Sequence, residues 1–524
     1  MAFNQLTSMK KYLLSLGLLL GGGALNSCES FLDENTDPNS PSAATPNLLL
    51  PNIIAQGFQT QMFTALRTPF ITQYVVSRTA NSGGNDQYYF TNAQSTNTFN
   101  YTYFYSGSNI PGMIQAAQAE GSPYYVGTGK IMMALLLSHA TDMLGDIPYS
   151  EAFRGAQNYT PKYDAQEQIY ATIFQLLREG AVQLKRPATD NSRPLYSTAP
   201  SISGDILYQG NTQKWVKLAY ALRARQLQHL TKKSSYSAAA VLAACDSAFT
   251  SSADDAQLNF QTAVAPLTGT TNIFGTTRAN FGTATFASNF VKYVNGNGTF
   301  PGVPDPRGPI MTSAATVGTA GIDPGRGGGV AVTSTGGVTD FYSSWYARDL
   351  GYFEVITYHE LKFIEAEAAF KAGNIGRAFA AYREGIRAHM AKVGQGGSNA
   401  SPAVTFPVIT PTQIDNYLAS AAAAQTPATL TIRNIMEQKY IAMFLNPESW
   451  SDLRRYDFST QIYVNLVYPT YPANVPQASQ PLKGQFPRRL LPGLTEVQYN
   501  PGEIARIGAN DPDYVTRPLW WDMP

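Results

Sequence analysis

The sequence predicts an all-α fold, a scaffold of stacked helix pairs that carries a loop-rich face. Three observations predict it. Apolar residues recur at helical spacing in one segment after another. Several of these segments come in pairs, and each helix alone would expose its apolar stripe, so the pairs must stack on one another. A long stretch between them, 262–345, is poor in helix signals and rich in Gly, Thr and Asn.

The chain starts differently. Lys10 and Lys11 precede an apolar run, Tyr12 to Leu25, which closes on Leu25-Asn26-Ser27-Cys28. That is the layout of a secretory signal. The run falls short of the ~20 apolar residues a membrane span needs, and Gly21, Gly22 and Gly23 weaken any helix in it. Its end resembles the lipobox of bacterial lipoproteins. The resemblance implies a signal peptide over residues 1–27 and an acylated N-terminus at Cys28. Each acyl chain would then add ~0.8 kcal/mol of anchoring per buried methylene. The following Asp33-Glu34 resembles the signal that sorts such lipoproteins to the cell surface in Bacteroidota. Residues 28–50, with Asn35-Thr36-Asp37-Pro38-Asn39-Ser40-Pro41, read as a flexible lipidated tether. Residues 51–524 remain for the folded domain.

The elements of that domain follow in order. Asn52 to Val76 carries Ile53, Ile54, Phe58, Met62, Leu66 and Phe70 at helical spacing, bracketed by Pro51 and Pro69. Residues 77–111 form a polar-aromatic segment with little helical period. Lys130–Leu144 is apolar nearly all round, the mark of a fully buried helix, and stops at Gly145-Asp146-Ile147-Pro148. Tyr163–Leu184 is amphipathic, and Gln213–Lys232 with Ser237–Phe249 makes a second pair. Tyr352–Gly373 and Ile375–Met390 form the clearest pair, where Gly373, Ala378 and Tyr382 follow the tetratricopeptide order of turn, small residue and aromatic. Lys362 and Ala369 stand where that pattern wants aromatics, so the pairs are divergent. Phe286–Val294 reads as a short helix inside the loop-rich stretch. The last helix spans about Leu430 to Leu445, and a Pro- and Tyr-rich tail ends in Trp520-Trp521-Asp522.

Composition narrows the function. Charged residues make up 14 % and the formal net charge is +1, which gives no electrostatic case for a nucleic-acid partner. With 31 Tyr against 5 Trp, and many Asn, Gln, Ser and Thr, the surface suits neutral ligands such as sugars or peptide backbones. Of the two cysteines, Cys28 is taken by the lipobox. Cys245 lies in the inward stripe Val241, Cys245, Phe249, the place of a buried and inert thiol. The histidines His139, His229, His359 and His389 are scattered through helical patterns without paired-ligand spacing, so no metal and no cofactor are expected.

Five features together are similar to a known family. They are the lipobox with Phe31-Leu32-Asp33, the run from Asp142 to Ala152, the helix around Trp215 to Arg225, Glu360 to Ala369 followed by Gly373, and Ile435 to Arg455. Their order resembles the SusD/RagB nutrient-binding outer-membrane lipoproteins of Bacteroidota, most closely the SusD-like subgroup. The resemblance implies tetratricopeptide-like helix pairs with a loop-rich ligand-binding face. It also implies a partner, a SusC-type TonB-dependent transporter on which the lipoprotein sits as a lid, and delivery of glycans or peptides without cleaving them.

The motif residues read mainly as structural. Asp452 in Trp450-Ser451-Asp452-Leu453-Arg454-Arg455 suits a capping or ion-paired role, and Asp142 and Asp146 flank a helix end rather than forming a hydrolytic pair. Glu360, Glu365 and Glu367 are expected to be solvated or paired. Ligand contact is expected of the aromatics in non-helical stretches: Trp345 first, then Tyr342, Tyr346, Tyr88, Tyr89, Tyr101 and Tyr103, with Asp86 beside them. The competing reading puts Tyr101, Tyr103 and Tyr105 on one face of a strand or packed under a loop. The leading function is oligosaccharide capture for a transporter. Oligopeptide binding on the same architecture, a surface glycoside hydrolase and a ligand-free scaffold are the alternatives.

Overall fold

The computed structural model describes residues 44–78, 85–198, 204–262, 271–282, 284–312, 320–326, 341–471 and 475–524. The signal, Cys28 and the Asp33-Glu34 pair lie outside them, as does most of the tether.

The first helix, Pro46–Thr64, begins inside the stretch read as tether and holds Pro51 within it. It buries Ile53, Ile54, Phe58 and Met62 against the Pro123–Leu144 helix. That second helix is buried nearly all round, as its composition predicts. Packing then passes along the chain: Pro123–Leu144 on Gln166–Leu184, Gln166–Leu184 on Thr212–His229, then Ala238–Asp246 and Tyr358–Lys371 with Ile375–Val393. These are the stacked helix pairs expected from the apolar stripes. At the first pair the backbones approach closely. A Cβ on Gly127 would stand 2.9 Å from the Gly180 carbonyl, and one on Gly180 would stand 2.9 Å from that of Gly127, so neither position takes a side chain without a shift. Gly373 turns the third pair at φ +74, a conformation that favours glycine. Asn374 then caps the next helix by accepting from the Arg377 amide at 3.2 Å.

Other boundaries moved for identifiable reasons. The expected Asn52–Val76 helix ends at Thr64, and Val75–Ser77 is instead a strand antiparallel to Ala284–Phe286. The polar-aromatic segment is helical, against expectation: Ala93–Asn100 is α-helix, Tyr101–Gly107 a π-helical stretch, and Asn109–Glu120 α-helix again. Tyr101, Tyr103 and Tyr105 therefore do not line a strand. Tertiary contacts override weak local propensity here: the Thr64 and Thr98 hydroxyls meet at 2.7 Å, and Ser106 Oγ donates to the Ile53 carbonyl at 2.9 Å. In the loop-rich stretch the short helix is Ser288–Val294. Ala256–Asn259 pairs with Tyr352–Ile356, and a hairpin joins Gln395–Ala400 to Ala403–Val408.

The motif residues form a buried ionic framework between the helices. Arg225 grips Glu360 through two bonds of 2.6 Å, and Arg455 grips Glu367 at 2.6 and 2.8 Å. Asp452 accepts from Lys439 at 2.9 Å and Arg455 at 2.5 Å, the ion-paired role expected of it. Glu365 meets Lys362 and Arg377, both at 2.8 Å, so all three glutamates are paired, and Glu360 and Glu367 are fully buried rather than solvated. Asp142 accepts from Tyr170 at 2.6 Å and from Gln226 at 3.0 Å, while Asp146 accepts from the Gln166 amide at 3.0 Å.

His229 stands between Glu448 at 2.5 Å and Asp142 at 3.3 Å. Burial pushes its proton off, but the two carboxylates outweigh that and hold the imidazole up at about 9. Its folded value is thus above the ordinary 6.5. The stability His229 contributes should be complete below pH ~6.5 and lost as pH rises through about 9. Histidine-selective NMR titration checks this: the His229 ring should titrate near pH 9, whereas burial holds His139 down to about 4 and His359 to about 3. A His229 midpoint near 6.5 would remove the ion triad.

Cys245 is buried in its helix stripe and burial pushes its thiol up, in keeping with an inert role. Among the described residues no group of His, Cys, Asp and Glu is arranged to hold a metal ion.

Candidate ligand-binding cleft

A cleft of about 640 Å³ opens where five segments meet, one of them the turn that carries Ile206, Leu207 and Gln209. Gln56 and Gln59 come from the first helix, Tyr101 from the π-helical stretch, Gln257 and Asn259 from an edge strand, and Arg278 from the loop-rich region. The helix reaches this place because its opposite face is held in the core. Strand Ala256–Asn259 is fixed by its pairing with Tyr352–Ile356.

The cleft lining holds the rings of Tyr101 and Phe260, and Tyr101 joins a larger aromatic cluster. Tyr101 stacks on Phe63 at 5.0 Å and leans on Tyr105 at 4.9 Å, and Phe104 meets Tyr105 edge-on at 5.3 Å. Phe104 is 70 % exposed and Tyr105 45 %, so the aromatic surface continues outward from the cleft. The Arg278 guanidinium lies 5.8 Å over the Phe63 ring, and burial draws its pKa down. Facing these rings are amides. The Oε1 atoms of Gln59 and Gln257 are buried without a hydrogen-bond donor among the described residues. Such an oxygen costs about 1 to 3 kcal/mol unless something donates to it. Among the described residues the lining combines aliphatic, aromatic and amide side chains with one cation, Arg278, and carries neither a carboxylate nor a nucleophile–base pair.

The expected contact residues separate on this geometry. Tyr101 lies in the cleft, half-buried. Tyr103, one position beyond its neighbour, turns inward against Phe99 at 4.4 Å and Phe153 at 5.8 Å. Tyr89 is exposed at 47 %, but Tyr88 is fully buried among Tyr468 and Phe486. Asp86 is buried and accepts from the amides of Ser77 at 3.3 Å and Gly325 at 3.0 Å, tying two loops together. Trp345 was the foremost expectation and needs correction: it is 2 % exposed, so its ring offers no face to a ligand. The sequence 345–347 is a 3₁₀ turn capped by Ser344, and it rolls the indole beneath Arg348. Tyr346 is buried as well, with its hydroxyl 3.2 Å from His389 Nε2, and Tyr342 packs edge-on to Phe341 at 6.2 Å. Sequence reasoning missed Gln56, Gln59, Gln257, Asn259 and Arg278. Two glutamines three apart on an apolar helix were the available signal.

Comparison with known proteins decides the family. A SusD-like family model, described as starch-binding and associating with the outer membrane, matches residues 38–487. The chain belongs to the SusD-like family. Solved structures share its fold. A SusD/RagB family protein from Bacteroides thetaiotaomicron superposes with a TM-score of 0.67 at 22 % identity, covering 92 % of this chain and 99 % of that one. A chitin-binding protein gives 0.67 and 22 %, covering 92 % of this chain and 100 % of its own. A chitin-binding SusD homolog from Flavobacterium johnsoniae gives 0.61 and 19 %, covering 90 % and 98 %. No curated protein matches. The SusD-like resemblance and the helix-pair architecture read from the sequence both hold.

Proposed function

We propose that the protein is a non-catalytic cell-surface lipoprotein that captures an oligosaccharide in the Tyr101 cleft and hands it to a SusC-type TonB-dependent transporter. The observation that carries the glycan part is the half-buried Tyr101 ring, stacked on Phe63, in a cleft whose lining also carries Gln56, Gln59, Gln257 and Asn259. An aromatic face takes the apolar face of a sugar ring, and amide side chains hydrogen-bond sugar hydroxyls. The starch-binding description of the family and the chitin-binding names of two solved relatives support the same ligand class. The family description supports a place at the outer membrane, and a lipid at Cys28 would provide the attachment. No helix among the described residues is long and apolar enough to cross a membrane. The hydrolase alternative finds no support, because Asp142 is buried beneath Tyr170, Gln226 and His229.

Calorimetric titration of the purified protein against matched oligosaccharides and oligopeptides tests the proposal. Saturable binding of a glycan without product release is expected. Binding of peptides alone would replace the ligand class, and release of shorter sugars would restore the hydrolase.

A further inference from the structure

A second cleft, of about 650 Å³, shares Gln261 with the first. Its wall carries Arg348, Asp349, Tyr352, Ser398 and Asn399. Arg348 is part-buried and differs from three fully buried arginines. Arg225, Arg307 and Arg455 each hold a carboxylate at 2.6 Å. Among the described residues Arg348 makes no ion pair; its Nε is buried without an acceptor, and the guanidinium donates a hydrogen bond to the Tyr352 side chain. Glu354 is engaged by Lys392 at 2.7 Å. The guanidinium is nevertheless held in place. Its carbon lies 3.5 Å from the centre of the Trp345 ring and 5.6 Å from that of Tyr352, and those two rings meet edge-on at 5.4 Å. Burial pulls the Arg348 pKa down, the direction expected of a cation short of compensation.

A guanidinium held over an indole ring without an ion pair, in the wall of a cleft that carries Thr, Ser and Asn side chains beside Asp349, fits a planar or tetrahedral oxyanion surrounded by hydroxyls. We infer that the Arg348 cleft is a second subsite that takes an anionic sugar, through a carboxylate or sulfate substituent, so that the captured oligosaccharide is acidic. The shared Gln261 makes the two clefts neighbours along one ligand path. The inference rests on the glycan reading of the Tyr101 cleft and adds the charge of the ligand to it.

The test is an array printed with neutral oligosaccharides, uronate oligosaccharides, the methyl esters of those uronates, and sulfated oligosaccharides. It is probed with the purified wild-type protein, Arg348→Met and Arg348→Lys. The expected result is retention of an acidic set at least tenfold above its uncharged counterpart. Arg348→Met, which keeps the stem over Trp345, should lose that advantage, and Arg348→Lys should keep part of it. The uronate and sulfate arms tell which anion is read. Where Arg348→Met fails to fold, the ester comparison in the wild type and Arg348→Lys still decide. Retention of neutral glycans alone, unchanged in Arg348→Met, overturns the inference and leaves the glycan reading standing. Acidic retention that is indifferent to Arg348→Met also overturns it. Retention of no glycan overturns both.

Discussion

Replacing Arg455 by methionine should lower the free energy of unfolding by about 3 to 5 kcal/mol, because it strands buried carboxylates. Arg455 is essentially inaccessible and grips Glu367 through both Nη1 and Nη2, and Nη2 also reaches Asp452 at 2.5 Å. Tyr456 adds a hydrogen bond to Glu367 at 2.6 Å. Burial alone would raise the Glu367 carboxyl, yet the guanidinium outweighs it and holds the group at about 2. With the cation gone, Glu367 and Asp452 would face each other's field with only Lys439 to share. Urea denaturation measures the loss. The double variant Arg455→Met/Glu367→Leu should recover part of it, since replacing a whole buried pair is far less costly than breaking one. A loss under about 1 kcal/mol in the single variant would mean that the framework does not hold the helix pairs together.

The second large effect is on binding. Tyr101→Ala should weaken the oligosaccharide by at least about thirtyfold, the equivalent of about 2 kcal/mol for a central aromatic contact. Its thermal midpoint should move little, because the ring is half-buried at the surface and its partners Phe63 and Tyr105 remain. Phe104→Ala, further out and 70 % exposed, should cost less. Equal losses at the two positions would place the ligand on the outer aromatic surface instead of in the cleft.

How much of this was legible differs by element. The helix pairs were readable because their apolar periods are set by packing that repeats within one segment. Lys130–Leu144 and Ile375–Met390 needed only local pattern, and the structure places helices on both. The ionic framework was partly hidden. Glu360 and Glu367 sit on an alanine-rich helix that reads as either solvated or paired, and only Arg225 and Arg455, 135 and 88 residues away, explain their burial. The site suffered most. Tyr101 lies in the candidate cleft but in a helical rather than an irregular stretch, since a π-helical stretch depends on the first helix holding it. Trp345 misled because an indole amid serines looks exposed until Arg348 is seen above it. The amide side of the cleft joins residues from a helix and a strand about 200 positions apart, and no local pattern encodes that convergence.

The most direct measurement is a crystal structure of the protein with the oligosaccharide it binds best. The account predicts a sugar ring against Tyr101, with its hydroxyls hydrogen-bonded to the amide side chains that line the cleft. A ligand bound elsewhere, with this cleft left empty, would contradict it.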